Sequence, residues 1–264
     1  MTATPRPTLT IVTVVRDDDL GLEQTRASLA ANLGEFTSED LTELQWVVID
    51  SSDPPLSAPE LHLITQSSFW QPPQGIYEAM NMGLDKAHGS WVYFLNAGDT
   101  LSDTKALKTL LTGLHTTSAP WGFARVVFRN ARGQVLEEPP WDYQSHRDRL
   151  FASGRFPPHQ GTIVSTDLLR SLGGFDVTYR VVADYHAAIR LSTIADPEIW
   201  TWPLAEFEQG GSSSTNWQQA YREMHRARQE VFQPTGLRAI VEAWRTTTTR
   251  WRHAASVALA SIRG

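Results

Sequence analysis

The chain has 264 residues, 41% of them apolar, a formal net charge of −6 and no cysteine. That composition suffices for one sizeable globular core, and it excludes both a disulfide framework and a thiolate metal site. The negative balance argues against a protein that binds nucleic acid by neutralising phosphates, so no nucleic-acid partner is expected.

Residues 1–8, with Pro5 and Pro7, read as a flexible lead-in without an apolar signal core. No uninterrupted apolar run is long enough to span a bilayer, so a cytoplasmic location is expected. Leu9 to Val15 is apolar and β-branched, which predicts a buried first strand. Arg16-Asp17-Asp18-Asp19 follows as a polar loop, and Leu22, Leu29 and Leu33 give Leu20 to Leu33 helical spacing. Gln45 to Ile49 predicts a second buried strand, which ends on Asp50 before the Pro54-Pro55 stop. Leu61 to Ile64 is a candidate short third strand.

After the loop Gln71 to Gln74, Ile76, Met80, Leu84 and Ala87 recur as one apolar helix face. Tyr77 and Asn81, four residues apart, share another face and can point at one ligand. Gly89 suits a helix stop. Trp91 to Leu95 is a short aromatic, apolar run that predicts a buried strand, and it breaks into Asn96-Ala97-Gly98-Asp99. A carboxylate at the carboxyl end of a buried strand is where α/β sheets bind ligands. The order β-α-β-(β)-α-β predicts a mostly parallel sheet with right-handed crossovers, with Asp50 and Asp99 on one rim.

Further on, Thr104 to Leu114 predicts a helix, and Trp121 to Arg129 with Val135 to Glu138 predicts a β-hairpin turning at 130–133. Trp141 to Pro158 reads as irregular, and His159 to Ser165 as strand-like. Thr166 to Leu172 reads as a short helix closed by Gly173-Gly174; another helix runs from Asp184 through Arg190, and Ile199 to Leu204 reads as a last strand. Gln218 to Val231 is helical and highly charged. From Leu237 to Ile262, Val241, Trp244, Trp251, Ala255, Leu259 and Ile262 keep helical spacing among Arg238, Arg245, Arg250, Arg252 and Arg263. A basic helix with tryptophan on its apolar side suits a membrane surface. Packing on the main domain, or on a second subunit in a homo-oligomer, fits the pattern equally, and Thr246 to Thr249 weaken the helix.

Two motifs carry a family resemblance. Gly-Ile-Tyr-Glu-Ala-Met-Asn-Met-Gly (75–83) and Gly-Ser-Trp-Val-Tyr-Phe-Leu-Asn-Ala-Gly-Asp (89–99) resemble the central signature of the family-2 glycosyltransferases with the GT-A fold. His159-Gln160-Gly161-Thr162, Gly173-Gly174-Phe175-Asp176 and Ala183-Asp184-Tyr185 follow in the family's order, so the resemblance covers roughly residues 9–210. It implies an α/β, GT-A-like and Rossmann-related, mostly parallel central sheet flanked by helices, with the GT-A domain at 9–215; the helical C-terminal extension at 216–264 is read from its composition and spacing instead. It implies an inverting, metal-dependent transferase of polysaccharide or glycoconjugate biosynthesis. A sugar would pass from a UDP-, GDP- or dTDP-sugar to a glycan or lipid-linked acceptor.

The resemblance also implies roles. Asp99 would bind Mg²⁺ or Mn²⁺, Asp184 would be the general base, and Asp50 would meet the base or ribose. The backbone at Val14, Val15 and Arg16 would line the nucleoside pocket. Gly75, Tyr77, Asn81 and Asn96 would contact the donor, and His159 the diphosphate or the acceptor. Trp70, Trp121 and Trp141 are candidates for stacking on a sugar. The chain departs from the family at Asn96 and Gly98, which replace acidic residues of an Asp-x-Asp-type motif, and at Pro73, where an acidic residue is common. Those departures leave an alternative: a catalytically impaired module that binds a nucleotide sugar or a partner. A nucleotidyltransferase would need a Gly-rich, basic phosphate loop after the first strand, and residues 16–19 are acidic.

Overall fold

The computed structural model describes residues 6–57, 60–62, 64–129, 135–136, 143–208, 216–237, 240–244 and 246–248. The expected turn at 130–133, Trp141, and Trp251 with the rest of 249–264 lie outside the described residues.

The chain alternates strands and helices through its first half: β1 (Leu9–Val15), α1 (Asp19–Leu33), α2 (Ser38–Thr42), β2 (Leu44–Asp50), β3 (Thr65–Trp70), α3 (Ile76–Lys86) and β4 (Trp91–Phe94). There follow β5 (Thr100–Leu101), α4 (Ala106–Thr116), β6 (Trp121–Arg129), β7 (Val135–Leu136) and α5 (Tyr143–Ala152). A 3₁₀ turn (His159–Gly161) then leads into β8 (Thr162–Ser165), α6 (Thr166–Ser171), α7 (Ala183–Ile194), β9 (Glu198–Glu208) and α8 (Trp217–Phe232). One sheet runs β3-β2-β1-β4-β8-β6-β9-β5, with β7 paired to β6. The four strands β3, β2, β1 and β4 are parallel. Beyond β4 the sheet is mixed: β8 is antiparallel to both β4 and β6, β9 is parallel to β6, and β5 is antiparallel to β9.

Side-chain alternation splits the core between the two faces. Val12, Val14, Val47, Ile49, Val92 and Phe94 bury toward α3, α6, α7 and α8. Ile11, Val15, Trp46, Val48, Tyr93 and Leu95 bury toward α1 and α4. Strands covered on both sides read as continuous apolar runs, which is why β1, β2 and β4 stand where the sequence places them. Each fully buried aliphatic side chain there contributes on the order of 1.5–3 kcal/mol. Thr13, a polar residue within β1, is buried at no cost in lost hydrogen bonds: its Oγ1 donates to the Leu95 carbonyl (2.8 Å) and accepts from Trp46 Nε1 (2.9 Å). α3 lies so close to β1 that a Cβ at Gly83 would sit 2.3 Å from Val12 Cγ1.

Two expectations are corrected. The third strand is Thr65–Trp70, not Leu61 to Ile64. It is an edge strand whose residues are all half-exposed or exposed, so no apolar run marks it, while Leu61 and Ile64 bury from the preceding turn. Within the stretch expected to be irregular, Tyr143–Ala152 forms α5, which buries Tyr143 and Phe151 against Trp121, Phe123 and Tyr185. The charged stretch after residue 215 packs onto the domain through α8, where Ala220, Glu223, Ala227 and Arg228 are buried.

Candidate active site

The carboxyl end of β4 sets the site. After Phe94 the chain stays beside β1: Leu95 N–H donates to the Val12 carbonyl and Ala97 N–H to the Val14 carbonyl. It then turns, with Asp99 N–H donating to the Asn96 carbonyl at 3.0 Å. Gly98 takes a φ of +89°, a conformation that a side chain would strain. Thr25 holds the turn from α1; its Oγ1 lies 3.1 Å from the Asn96 carbonyl and 2.7 Å from that of Asp99. Thr25 was not singled out in the sequence. Its signal in the sequence is a hydroxyl residue at helical spacing between Leu22 and Leu29, on the face that α1 buries.

Asp99 is only 8% exposed. Burial pushes its carboxyl up to about 6, against the opposing effects of the His159 charge, the Gln160 side-chain amide and the Asn96 backbone. Gln160 is itself fixed by its carbonyl, which accepts from the Tyr93 hydroxyl at 2.8 Å.

Four of the expected site residues form one chain of contacts. Asn96 Nδ2 lies 3.0 Å from His159 Nε2, and His159 Nδ1 lies 3.4 Å from Asp184 Oδ2. The Tyr77 hydroxyl lies 3.1 Å from Asp184 Oδ1 and 2.9 Å from the Val181 carbonyl. Asp184 Oδ1 also accepts from the Tyr185 N–H (2.9 Å), which among the described residues leaves Oδ2 with only the long His159 contact. In the tautomer whose Nε2 accepts from the Asn96 amide, the ring proton sits on Nδ1 and faces Asp184. Burial alone would lower the His159 imidazole; the hydrogen bond and charge of Asp184, with the charge of Asp99, outweigh it and raise its pKa above the ordinary histidine value. Burial, and then the Asp184 charge, pushes the Tyr77 hydroxyl well above the ordinary tyrosine value, so it remains a neutral donor.

Tyr77 and Asn81 do share a helix face, but that face meets protein. Asn81 Nδ2 donates to the Phe175 carbonyl and its Oδ1 accepts from the Phe175 N–H, both at 2.8 Å. Tyr77 pins the start of α7. Both side chains thus tie α3 to the segment from Phe175 to Asp184.

A residue missed in the sequence does the same from α8. The buried Glu223 carboxylate accepts from the backbone N–H groups of Arg180 (3.2 Å), Val181 (2.9 Å) and Val182 (3.2 Å), and from Gln219 Nε2 (2.8 Å). These are the residues immediately before α7. Nothing in a run of charged helical residues marks one glutamate as buried.

The remaining expected residues lie elsewhere on the rim. A pocket of about 150 Å³ beside the end of β2 is lined by Leu22, Asp50, Leu56, Phe69 and Trp70, among others. Both oxygens of Asp50 serve the loop around it: Oδ1 accepts from Ser52 N–H (2.8 Å) and Oδ2 from Leu56 N–H (2.7 Å). The Trp70 indole, half-exposed, donates to the Ser52 carbonyl at 2.8 Å. Val14 and Val15 bury their side chains, and their carbonyls accept from Ala97 and Ser51 N–H groups. Arg16 is exposed and pairs with Asp17 at 3.4 Å. Gly75 precedes α3 in extended backbone, and its carbonyl receives the Ala79 N–H. Trp121 is fully buried with its indole N–H on the Ala195 carbonyl, which rules out the sugar stacking considered for it.

No family model matches the chain. It is 26% identical over 220 residues to an uncharacterised glycosyltransferase of Mycobacterium tuberculosis, covering 80% of this chain and 79% of that one. It is 34% identical over 119 residues to a PGL/p-HBAD biosynthesis glycosyltransferase of Mycobacterium bovis, covering 44% of this chain and 43% of that one. Among solved structures, the mannosyltransferase PcManGT of Pyrobaculum calidifontis, in complex with GDP-Man and Mn²⁺, superposes with a TM-score of 0.60 at 14% identity over 99% of this chain and 77% of its own. S. aureus TarS 1–349 in complex with UDP gives 0.60 at 13% identity, covering 85% of this chain and 66% of that one; the chain spans 40% of a longer TarS chain.

The fold is GT-A-like.

One of the structural neighbours, PcManGT, holds Mn²⁺ together with GDP-Man. Among the described residues no cluster of three or more His, Asp or Glu side chains could hold such a cation alone. The donors present still fit. Among the described residues Asn96 Oδ1 is buried with no hydrogen-bond partner, and Asp99 is a buried carboxylate three residues away on the same turn. Both are hard oxygen ligands of the kind Mg²⁺ and Mn²⁺ prefer, and a diphosphate would complete the shell.

Proposed function

We propose that the protein is an inverting glycosyltransferase that moves a sugar from a nucleoside-diphosphate donor to a hydroxyl of a glycan or lipid-linked acceptor. The observation that carries this reading is the chain of contacts from Asn96 through His159 to Asp184, beside the buried Asp99. The relatives bear glycosyltransferase names, and the structural neighbours hold UDP or GDP-Man.

The nucleoside sits in the pocket at Asp50 and Trp70, where the indole face is free to stack on a base. Asp99 and Asn96 Oδ1 face the diphosphate and would hold a divalent cation there. Such a cation, when bound, supplies Lewis-acid neutralisation of the departing diphosphate. Asp184 Oδ2 takes the proton of the acceptor hydroxyl, since Oδ1 is already committed to Tyr77 and Tyr185. The acceptor oxygen bonds to the anomeric carbon as the bond to the phosphate oxygen breaks, and that electron pair leaves with the nucleoside diphosphate. A single in-line displacement inverts the anomeric centre. His159 orients Asp184 through the contact between its Nδ1 and Asp184 Oδ2.

The test is nucleoside-diphosphate release from a panel of UDP-, GDP- and dTDP-sugars, with and without Mn²⁺, in wild type and Asp184→Asn. Loss of transfer by roughly 10²–10⁴-fold, with donor affinity retained by calorimetry, is the expected result. Donor binding without turnover on any acceptor would favour the non-catalytic module, which the single acidic residue of the 96–99 turn motivates.

A further inference from the structure

The C-terminal helical stretch is mounted with its apolar side outward. Residues 237, 240–244 and 246–248 are helical. Thr246, Thr247 and Thr248 return their hydroxyls to the carbonyls of Glu242, Ala243 and Trp244, so the threonines that weaken helix propensity are accommodated within it.

Two polar residues one turn apart tie the stretch to the body. Glu242 pairs with Arg228 of α8, and Thr246 accepts from Arg228 Nη2 at 2.8 Å. Arg228 is itself buried and donates through Nη1 to the Tyr185 hydroxyl (2.9 Å), so the anchor reaches α7 next to Asp184. Leu237, Ile240, Val241 and Trp244 stand at i, i+3, i+4 and i+7. At about 100° per residue, their stripe lies on the side opposite Glu242 and Thr246. They are 80%, 66%, 42% and 66% exposed. A surface helix of a globular protein normally does the reverse, turning its apolar stripe inward.

Charge identifies the occupant. Residues 236–264 contain five arginines and one glutamate, a formal +4, so the other residues of this −6 chain sum to −10. A basic segment with a tryptophan-bearing apolar stripe on an acidic body matches an anionic lipid surface. A second copy matches poorly. It would bring two basic segments together, and one four-residue stripe falls short of the roughly 20–30 residues per side that a stable interface enlists. We infer that this stripe is a docking surface for an anionic bilayer, which it enters with Trp244 and Ile240 while the Arg228–Glu242 pair holds the domain over the headgroups.

The test is sedimentation of the full chain with phosphatidylglycerol/phosphatidylcholine vesicles and with pure phosphatidylcholine vesicles. Wild type should sediment with the anionic vesicles only, and less as salt rises. Ile240→Ser with Trp244→Ser should weaken that partition by roughly tenfold or more, with an unchanged melting temperature because both side chains are solvent-exposed. Wild type left in the supernatant with both vesicle types would overturn the inference. So would a double variant that sediments like wild type, or a wild-type dimer that the double substitution converts to monomer. The vesicle assay needs no turnover, so its outcome is separable from the transferase reading.

Discussion

Asp99→Asn should stabilise the ligand-free protein at pH 7.5 while removing its capacity for metal-assisted transfer. Asp99 is 8% exposed, and burial lifts its carboxyl from an ordinary 3.8 to about 6. A group whose folded pKa is raised is favoured in its protonated form, so ionising it opposes folding. A displacement of that size corresponds to roughly 3 kcal/mol of lost stability above pH 7, taken as an upper bound because local relaxation reduces it. The penalty is small near the unfolded value of 3.8, grows between there and about 6 as the unfolded carboxyl ionises ahead of the folded one, and is complete above about pH 7. The amide of asparagine is neutral throughout and nearly isosteric. Urea denaturation of both proteins from pH 4 to pH 8 reads the difference directly. The two should be nearly equal at pH 4, with the variant more stable by 1–3 kcal/mol at pH 7.5, an order-of-magnitude range. Mn²⁺ with a nucleoside diphosphate should restore wild type more than the variant, since ligand binding to the folded state adds stability. A variant less stable than wild type at pH 7.5, or a difference independent of pH, would refute the electrostatic argument.

Tyr77→Phe deletes a hydroxyl that touches Val181 and Asp184 rather than a ligand site, so steady-state kinetics should show kcat reduced about tenfold with donor KM unchanged. A raised donor KM at constant kcat would return Tyr77 to the donor. Glu223→Ala strips the acceptor from three backbone N–H groups ahead of α7 and should cost roughly 2–4 kcal/mol in denaturation. Glu223→Gln, which keeps one acceptor oxygen, should recover part of both stability and kcat; no recovery of kcat would mean that Glu223 does not position Asp184. Trp70→Ala should weaken nucleoside-diphosphate binding by about 1–3 kcal/mol in calorimetry through loss of base stacking, and unchanged affinity would place the base outside the Asp50 pocket.

What could be read in the sequence follows burial. β1, β2 and β4 are covered on both faces, so their composition alone marks them, and with them the rim on which Asp99 stands. β3 has a single neighbour and a polar sequence, and α5 is helical because Tyr143 and Phe151 find aromatic partners across the fold. Neither fact has a local signature. The site divides in the same way. Asn96, Asp99, His159 and Asp184 lie in motifs and meet in space. Yet helical spacing could only say that Tyr77 and Asn81 face one way, not that a protein segment fills that direction. Glu223 and Arg228 look like surface charges until the fold buries them against α7 and the C-terminal stretch.

The most direct measurement is a crystal structure of the protein soaked with Mn²⁺ and a sugar nucleotide that it binds. The account predicts the base against Trp70 beside Asp50, and a metal ion bridging the diphosphate to the Asp99 carboxylate, with Asn96 Oδ1 in its shell. It also predicts the anomeric carbon in front of Asp184 Oδ2. A donor seated elsewhere on the sheet, or a diphosphate bound with no ion within reach of Asp99, would contradict it.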